Sequence, residues 1–202
     1  MAGMWVPYQQ LNRAGLRKAQ ESVRPGYENS ALVRSYQPKL VPGLLQTAAY
    51  TTAMLEDARD KQRVQRDDVA EAVAERARRQ RILTQAGHRF VFVIEEQVLR
   101  YQFCGPEILR GQLLHLRETT RLPAVWLGII PLGEDRSKVL PREGFIMFDE
   151  ELVRVELISG VLSVSQPREI GMYLREFTDL ARIAVHGQAA RDLITEALHD
   201  LP

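Results

Sequence analysis

The stretch Leu40-Val41-Pro42-Gly43-Leu44-Leu45-Gln46-Thr47 separates two regions of the chain that differ in composition and pattern. Proline fixes its own φ and favours an extended conformation in the residue before it, whereas glycine reaches dihedral angles that are closed to other residues. We therefore expect the chain to run extended as far as Pro42 and to turn at Gly43.

The two leucines after this turn have no polar neighbour that would keep them in water, so we expect Leu44 and Leu45 to insert into a core. Thr47 is suited to cap a helix that begins directly after it. Two interpretations of the stretch stay open, a buried structural corner and a contact with a ligand or a partner.

Residues 1–39 predict a helical arm, used for linking or dimerisation. Pro7 suits the first turn of a helix that reaches about Val23, where Pro25-Gly26 interrupts it. Tyr27, Ala31 and Val33 indicate a second helical piece before an extended segment at 36–41. Because its apolar stripe is thin, the arm needs a surface, either the rest of the chain or a second copy.

Residues 40–202 predict one α+β domain for sensing or interaction. Apolar periodicity predicts helices at 47–58 and 69–85, from 106, from 167 and after 187, and strands at 90–94, 124–132, 144–148, 152–158 and 161–164. The order strand, helix, strand at 90–132 favours a parallel crossover, and 144–158 reads as a hairpin. The fold class is thus α+β, with a mixed sheet of about four to five strands, a C-terminal β-hairpin and several packing helices behind the helical arm.

Composition indicates a globular protein of the cytoplasm. Of 202 residues, 45% are hydrophobic and 26% charged, and the N-terminus lacks the pattern of a signal peptide. The sequence contains no long apolar run that would predict a membrane partner. A single cysteine, Cys104, fits a reducing compartment, and a net charge of +1 gives no general attraction for nucleic acid.

Four arginines lie near the end of the helix predicted at 69–85, and Asp68 with Glu71 has the spacing of a capping box at its start. The basic residues are Arg76, Arg78, Arg79 and Arg81. They favour either a routine interaction with the helix C-terminus or an anion-binding patch. Direct binding of DNA through this patch is a further hypothesis.

No motif for catalysis, metal binding or a cofactor is present. The four histidines are scattered, Cys104 reads as a small half-buried residue, and we predict no metal, no cofactor and no catalytic residue. The one opening for an enzyme is Glu95 and Glu96, at the end of a predicted parallel strand where open sheets place ligands. Glu96 with Arg100 is also the spacing of a helical ion pair.

Six polar residues are candidates for binding a ligand or a partner. Gln112 and His115 lie beside the apolar face of the helix from 106, where either side chain can contact a ligand or satisfy a backbone group. The full set of candidates is Gln46, Tyr50, Glu96, Arg100, Gln112 and His115.

The chain resembles the C-terminal domain of unknown function in actinobacterial transcriptional regulators of the XRE helix-turn-helix type, including WhiJ-like and antitoxin-like proteins. The resemblance rests on the strings Tyr36-Gln37-Pro38, Val41-Pro42-Gly43-Leu44-Leu45-Gln46-Thr47 with Tyr50, Arg78-Arg79-Gln80, Glu95-Glu96 to Leu99, Gln112-Leu113 with Leu116, Ile130-Pro131 and Gly144-Phe145. It extends over nearly the full chain.

The resemblance implies a regulatory domain that binds a small-molecule effector or a small partner protein and forms a homodimer. DNA would be reached only through a helix-turn-helix, which would have to precede Trp5 and is therefore absent from this sequence. We expect either a fragment cut at the linker or a chain without DNA binding. Pro25-Gly26 departs from the family, whose linker helix is uninterrupted. The alternative function is a small soluble enzyme with a pocket at Glu95 and Glu96.

Overall fold

The computed structural model describes residues 4–202. Its strands are β1 (Met4–Pro7), β2 (Leu32–Gln37), β3 (Arg89–Glu95), β4 (Val125–Ile130), β5 (Phe145–Phe148), β6 (Leu152–Glu156), β7 (Gly160–Val164) and β8 (Val185–His186). Its helices are α1 (Tyr8–Leu11), α2 (Leu16–Ser22), α3 (Arg24–Asn29), α4 (Ala48–Lys61), α5 (Val69–Gln80), α6 (Pro106–Thr119), α7 (Pro167–Ile183) and α8 (Gln188–His199), with 3₁₀ turns at Gly43–Leu45, Arg81–Thr84 and Glu96–Leu99.

One mixed sheet, in the order β1-β7-β6-β5-β2-β3-β4-β8, runs through the described residues. Its centre is parallel, because β3 pairs in parallel with both β2 and β4, and the other pairings are antiparallel. The predicted crossover β3-α6-β4 and the predicted hairpin β5-β6 are confirmed. The α+β class is also confirmed.

Each face of the sheet carries its own core, as expected where helices cover both sides of central strands. One core combines Phe90, Phe92 and Ile94 of β3 with apolar residues of α4, α6 and α8. The other combines Val93 of the same strand with Phe145 and with residues of α7. The alternation along β3 therefore divides its side chains between two helical layers.

The sheet is larger than predicted, with eight strands among residues 4–202 instead of four to five. The main correction concerns β2, because Val33, predicted to be helical, lies in a strand between β3 and β5. Val33 and Tyr36 are both buried residues of β2, and they belong to different cores because their side chains lie on opposite faces of the strand. β1 and β8 are too short to give a periodic signal.

The predicted arm folds back over the rest of the chain. β1 pairs antiparallel with β7, β2 is a central strand, and α2 packs on α5. The prediction of a single helix from Pro7 to Val23 is wrong, because the helical conformation is interrupted between α1 and α2, where Gly15 has a φ of +97°. Residues 4–39 and 40–202 thus contribute strands to the same sheet.

Candidate ligand-binding site

The Pro-Gly stretch forms a tight turn at the surface of the first core. Gly43–Leu45 makes one 3₁₀ turn, and Leu44 and Leu45 are buried, as predicted. The Thr47 hydroxyl accepts a hydrogen bond from the backbone N–H of Tyr50 at 3.2 Å and caps α4, which confirms its predicted role.

Three glutamine side chains fix the backbone of this turn. Gln46 Nε2 donates to the Val41 carbonyl at 2.7 Å, and Gln80 Nε2 donates to the Gln46 carbonyl at 2.6 Å. Gln112 uses both ends of its amide, because Nε2 donates to the Leu45 carbonyl and Oε1 accepts from the Thr47 N–H, each at 2.7 Å. Buried backbone groups that the turn leaves without helix or sheet partners are thereby satisfied.

A cavity of about 140 Å³ lies beneath the turn. The volume exceeds the share of a single water molecule, about 30 Å³, several times over. Its walls come from α2 and α3 (Gln20, Val23, Tyr27), from the turn (Leu40, Val41, Pro42, Gly43, Gln46), from α4 and α5 (Met54, Arg76, Arg79), and from the sheet and its entry (Gln37, Gly144, Ile146, Phe148, Arg154, Glu156). The cavity therefore joins the segment before the turn to the segment after it.

Two buried guanidinium groups line this cavity, Arg76 with 8% of its surface exposed and Arg79 with 6%. Arg76 Nε donates to Gln20 Oε1 at 3.1 Å, and its Nη1 donates to Gln46 Oε1 at 2.5 Å. Arg79 donates from Nη1 to the Gln20 carbonyl at 3.1 Å and from Nη2 to Gln20 Oε1 at 3.3 Å. All these oxygens are neutral acceptors.

Arg79 also stacks on an aromatic ring, with its guanidinium carbon 5.2 Å from the centre of the Tyr27 ring. Its Nε is buried and has no hydrogen-bond partner within residues 4–202. A buried donor without an acceptor is uncommon and costs free energy. One donor of this buried cation is thus unsatisfied, in a residue that lines the cavity.

Carboxylates do not neutralise these two cations at short range. In the described part of the chain, no carboxylate oxygen lies within 4 Å of Arg76 or Arg79. Glu75, which is next to Arg76 in the sequence and one turn before Arg79, instead pairs with Arg24 and Arg78, each at 3.1 Å. Pairing of buried charges is the rule in proteins, so this pair is an exception.

Burial changes the pKa of both guanidinium groups. Burial, followed by the charge of neighbouring Arg79, lowers the pKa of Arg76 from its usual value to about 10. Burial also lowers the pKa of Arg79, against the opposing effects of Tyr27, Glu75 and Glu156. Arginine stays protonated in proteins, so both charges carry the cost of their desolvation.

The four arginines of α5 and its C-terminal end do not form one surface patch. Arg76 and Arg79 face inwards, whereas Arg78 and Arg81 are exposed. The DNA-binding hypothesis gains no support from this arrangement, because two of its four cations cannot reach a phosphate backbone.

Three of the predicted candidates meet at the turn. Gln46 lines the cavity, and Gln112 braces the turn from α6. Tyr50 is buried, accepts a hydrogen bond from the Val41 N–H at 3.4 Å, and meets the Phe103 ring edge-on at 4.9 Å. Of the remaining candidates, His115 is exposed on the outer side of α6.

Glu96 and Arg100 lie elsewhere, at the end of β3. Glu96 accepts from the Leu132 N–H at 3.0 Å and from Arg100 at 3.1 Å, and Arg100 also pairs with Asp200. The predicted ion pair between Glu96 and Arg100 is confirmed.

Its neighbour Glu95 is buried and accepts hydrogen bonds from the Tyr36 hydroxyl at 2.5 Å and from both Nη atoms of Arg136 at 2.7 and 3.0 Å. Neither Glu95 nor Glu96 lines the cavity beneath the turn. Both carboxylates are thus occupied within the protein, and the enzyme hypothesis stays a prediction without support from their contacts.

The sequence pattern places Arg76 and Arg79 in one group with Arg78 and Arg81 and does not predict that the first two are buried. The signal was their spacing, since Val69, Ala72, Arg76 and Arg79 follow one another at intervals of three and four and are all buried on one face of α5. A cation at two positions of a buried stripe predicts a buried charge.

Other site types have little support in residues 4–202. No group of three or more His, Cys, Asp or Glu side chains that could hold a metal ion occurs there. Cys104 is half-buried, as predicted, and burial raises the pKa of its thiol. None of the helices in this part of the chain combines the length and apolar character needed to cross a membrane.

The chain belongs to a family described as a domain of unknown function, DUF5753, whose model matches residues 27–196. The match includes the Pro-Gly turn and both buried arginines. No curated protein matches the chain by sequence.

Three solved structures show partial likeness to the chain. They are Nuc, a phospholipase D family member from Salmonella typhimurium (10% identity, 84% of this chain and 90% of that one, TM-score 0.44), TrmBL2, an archaeal chromatin protein (8%, 93% and 54%, 0.46), and NucT from Helicobacter pylori (13%, 92% and 98%, 0.46). TM-scores below 0.5 at these identities establish nothing about the function of this chain.

Proposed function

We propose that this chain is the regulatory domain of a cytoplasmic transcriptional regulator of the XRE helix-turn-helix type. It binds an effector in the cavity beneath the Pro-Gly turn and forms a homodimer, and the DNA-binding helix-turn-helix lies outside this chain. The proposal extends the family membership and the resemblance of the turn sequence to such regulators.

One observation carries the ligand-binding part of the proposal. The cavity beneath the turn is lined both by α2 and α3, which precede the turn, and by α5, which follows it. A ligand in this position contacts both segments at once, so its binding alters how the N-terminal segment is held against the remainder.

The N-terminal edge of the sheet supports the dimer. β1 is an edge strand, and its residues Met4 and Trp5 are 65% and 50% exposed. Ile158, in the turn between β6 and β7, is also fully exposed, at 102%. Edge strands with exposed apolar side chains favour pairing with another chain.

A fusion assay tests this function. The chain is joined to a DNA-binding domain that represses its operator only as a dimer, and a reporter measures repression in cells. We expect repression by the fusion and a dimer of the isolated chain in light scattering. A well-expressed fusion that does not repress, together with a strict monomer at high concentration, would contradict the proposal.

A further inference from the structure

The charged residues that line the cavity beneath the turn indicate the charge of the ligand that it prefers. Arg76, Arg79 and Arg154 line it, and Glu156 is its single acidic lining residue among residues 4–202. Three cations against one anion give this lining a formal charge of +2. A neutral or cationic ligand would leave that charge uncompensated.

The hydrogen bonds of the two buried arginines show where an anion would fit. Gln20 Oε1 accepts from both guanidiniums, from Arg76 Nε at 3.1 Å and from Arg79 Nη2 at 3.3 Å. A single neutral oxygen therefore occupies the position between two cations. A carboxylate or phosphate oxygen adds a charge–charge attraction to the hydrogen bond from arginine and can pair with the guanidinium in a bidentate geometry, neither of which an amide oxygen offers.

Part of the remaining wall is apolar. Val23, Val41, Ile146 and Phe148 line the cavity, whose volume is about 140 Å³. Such a space accommodates an anionic group with a short hydrocarbon body.

We infer that the cavity binds a small organic oxyanion whose carboxylate or phosphate group lies between Arg76 and Arg79 and displaces the side chain of Gln20. Both guanidiniums then have the anionic acceptor that the protein itself does not supply, and Arg79 Nε gains a partner. Because Gln20 belongs to α2, its displacement changes the contact of α2 with α5. The inference rests on the proposed function in one respect, that the same cavity is the effector site.

Calorimetric titration of the 202-residue chain tests the inference, with sodium phosphate, sodium butyrate and the neutral analogue 1-butanol as probes at constant ionic strength. We expect saturable binding of phosphate or butyrate, with the tighter of the two identifying the anionic group. Arg79→Gln should weaken that binding at least about tenfold, since it removes charge-assisted hydrogen bonds. Arg78→Gln, on the exposed side of the same helix, is the matched control and should bind as the unaltered chain does.

Two further variants keep the test decisive if Arg79→Gln does not fold. Arg79→Lys retains the charge and loses the planar fork, so it should also weaken binding. Gln20→Ala removes the competing neutral oxygen and should strengthen it. Absence of binding by both anions, equal binding by Arg79→Gln and the unaltered chain, or butanol binding as tightly as butyrate would overturn the inference.

The fusion assay separates this inference from the proposed function. Anion binding without dimerisation or repression contradicts the regulatory role alone. Repression and dimerisation without anion binding contradict the ligand chemistry alone.

Discussion

Asp68 caps a helix other than its own. It precedes α5, yet its carboxylate accepts hydrogen bonds from the backbone N–H groups of Leu16 at 2.8 Å and Arg17 at 3.2 Å, at the start of α2. The side chain of Asp68 makes no capping bond to α5, so the predicted capping box is wrong although the helix start is correct. The carboxylate thus ties the helix that carries Gln20 to the helix that carries Arg76 and Arg79.

Asp68→Ala should destabilise the protein by about 1–3 kcal/mol, because it leaves two N–H groups at the start of α2 without an acceptor. Urea unfolding measures the change. Asp67→Ala is the matched control, since Asp67 is exposed and within residues 4–202 pairs only with Arg59, and it should cost no more than about 0.5 kcal/mol. Equal losses from the two variants would contradict the capping role.

Gly15→Ala tests the contact between Asp68 and the start of α2 by a change on the α2 side. A Cβ at Gly15 would lie 2.2 Å from Asp68 Oδ2, and its φ is +97°. Gly87 is the matched control, because it has a φ of +88° and no atom within 4 Å of a built Cβ. We expect Gly15→Ala to lower the melting temperature clearly more than Gly87→Ala, which bears only the backbone strain. Similar shifts would show that the close approach to Asp68 is unimportant.

Gln112→Met should cost about 1–3 kcal/mol of stability, since the side chain keeps its approximate volume while the Leu45 carbonyl and the Thr47 N–H lose their partner. His115→Ala, on the exposed side of the same helix, should change stability by less than about 0.5 kcal/mol. The measurement is denaturant unfolding of both variants. A neutral Gln112→Met would mean that the turn does not depend on this amide.

Because of Tyr50, the free energy of unfolding should vary with pH in the alkaline range. Burial raises the pKa of its hydroxyl from 10.0 to about 12, so between these values the unfolded chain loses the proton first. The contribution is complete below pH 10 and is lost as pH rises towards 12, with a slope of about 1.4 kcal/mol per pH unit. Tyr50→Phe should reduce the decline in unfolding free energy from pH 9 to 11.5. A decline in Tyr50→Phe as steep as that of the unaltered chain would contradict the raised pKa of Tyr50.

The sequence predicted much of the fold because long apolar segments determine it. β3, α6, β4 and the β5-β6 hairpin carry strong periodicity, and each is present close to its predicted bounds. β2 was misassigned because a central strand obtains its partners from β3 and β5, which are distant in the chain. The short strands β1 and β8 likewise depend on tertiary pairing and not on local preference.

The candidate site was only partly predictable for the same reason. Gln46, Tyr50 and Gln112 were identified from the turn and from the face of α6, and the structure brings them together. Arg76 and Arg79 are unusual because no carboxylate pairs with them within residues 4–202. The sequence does not reveal this, because Glu75 is close to both in the chain yet pairs with other arginines. Charge balance within a cavity is a property of the packed structure.

An anion site between Arg76 and Arg79 should be visible in the arginine Nε–H signals of ¹H–¹⁵N NMR spectra. The Arg79 signal is assigned by its loss in Arg79→Lys and followed during titration with phosphate and with butyrate. We expect a saturable shift of the Arg79 signal, because its unpartnered Nε–H gains an anionic acceptor, and little change in the signal of exposed Arg78. A static Arg79 signal throughout both titrations, or one that moves no more than that of Arg78, would contradict it.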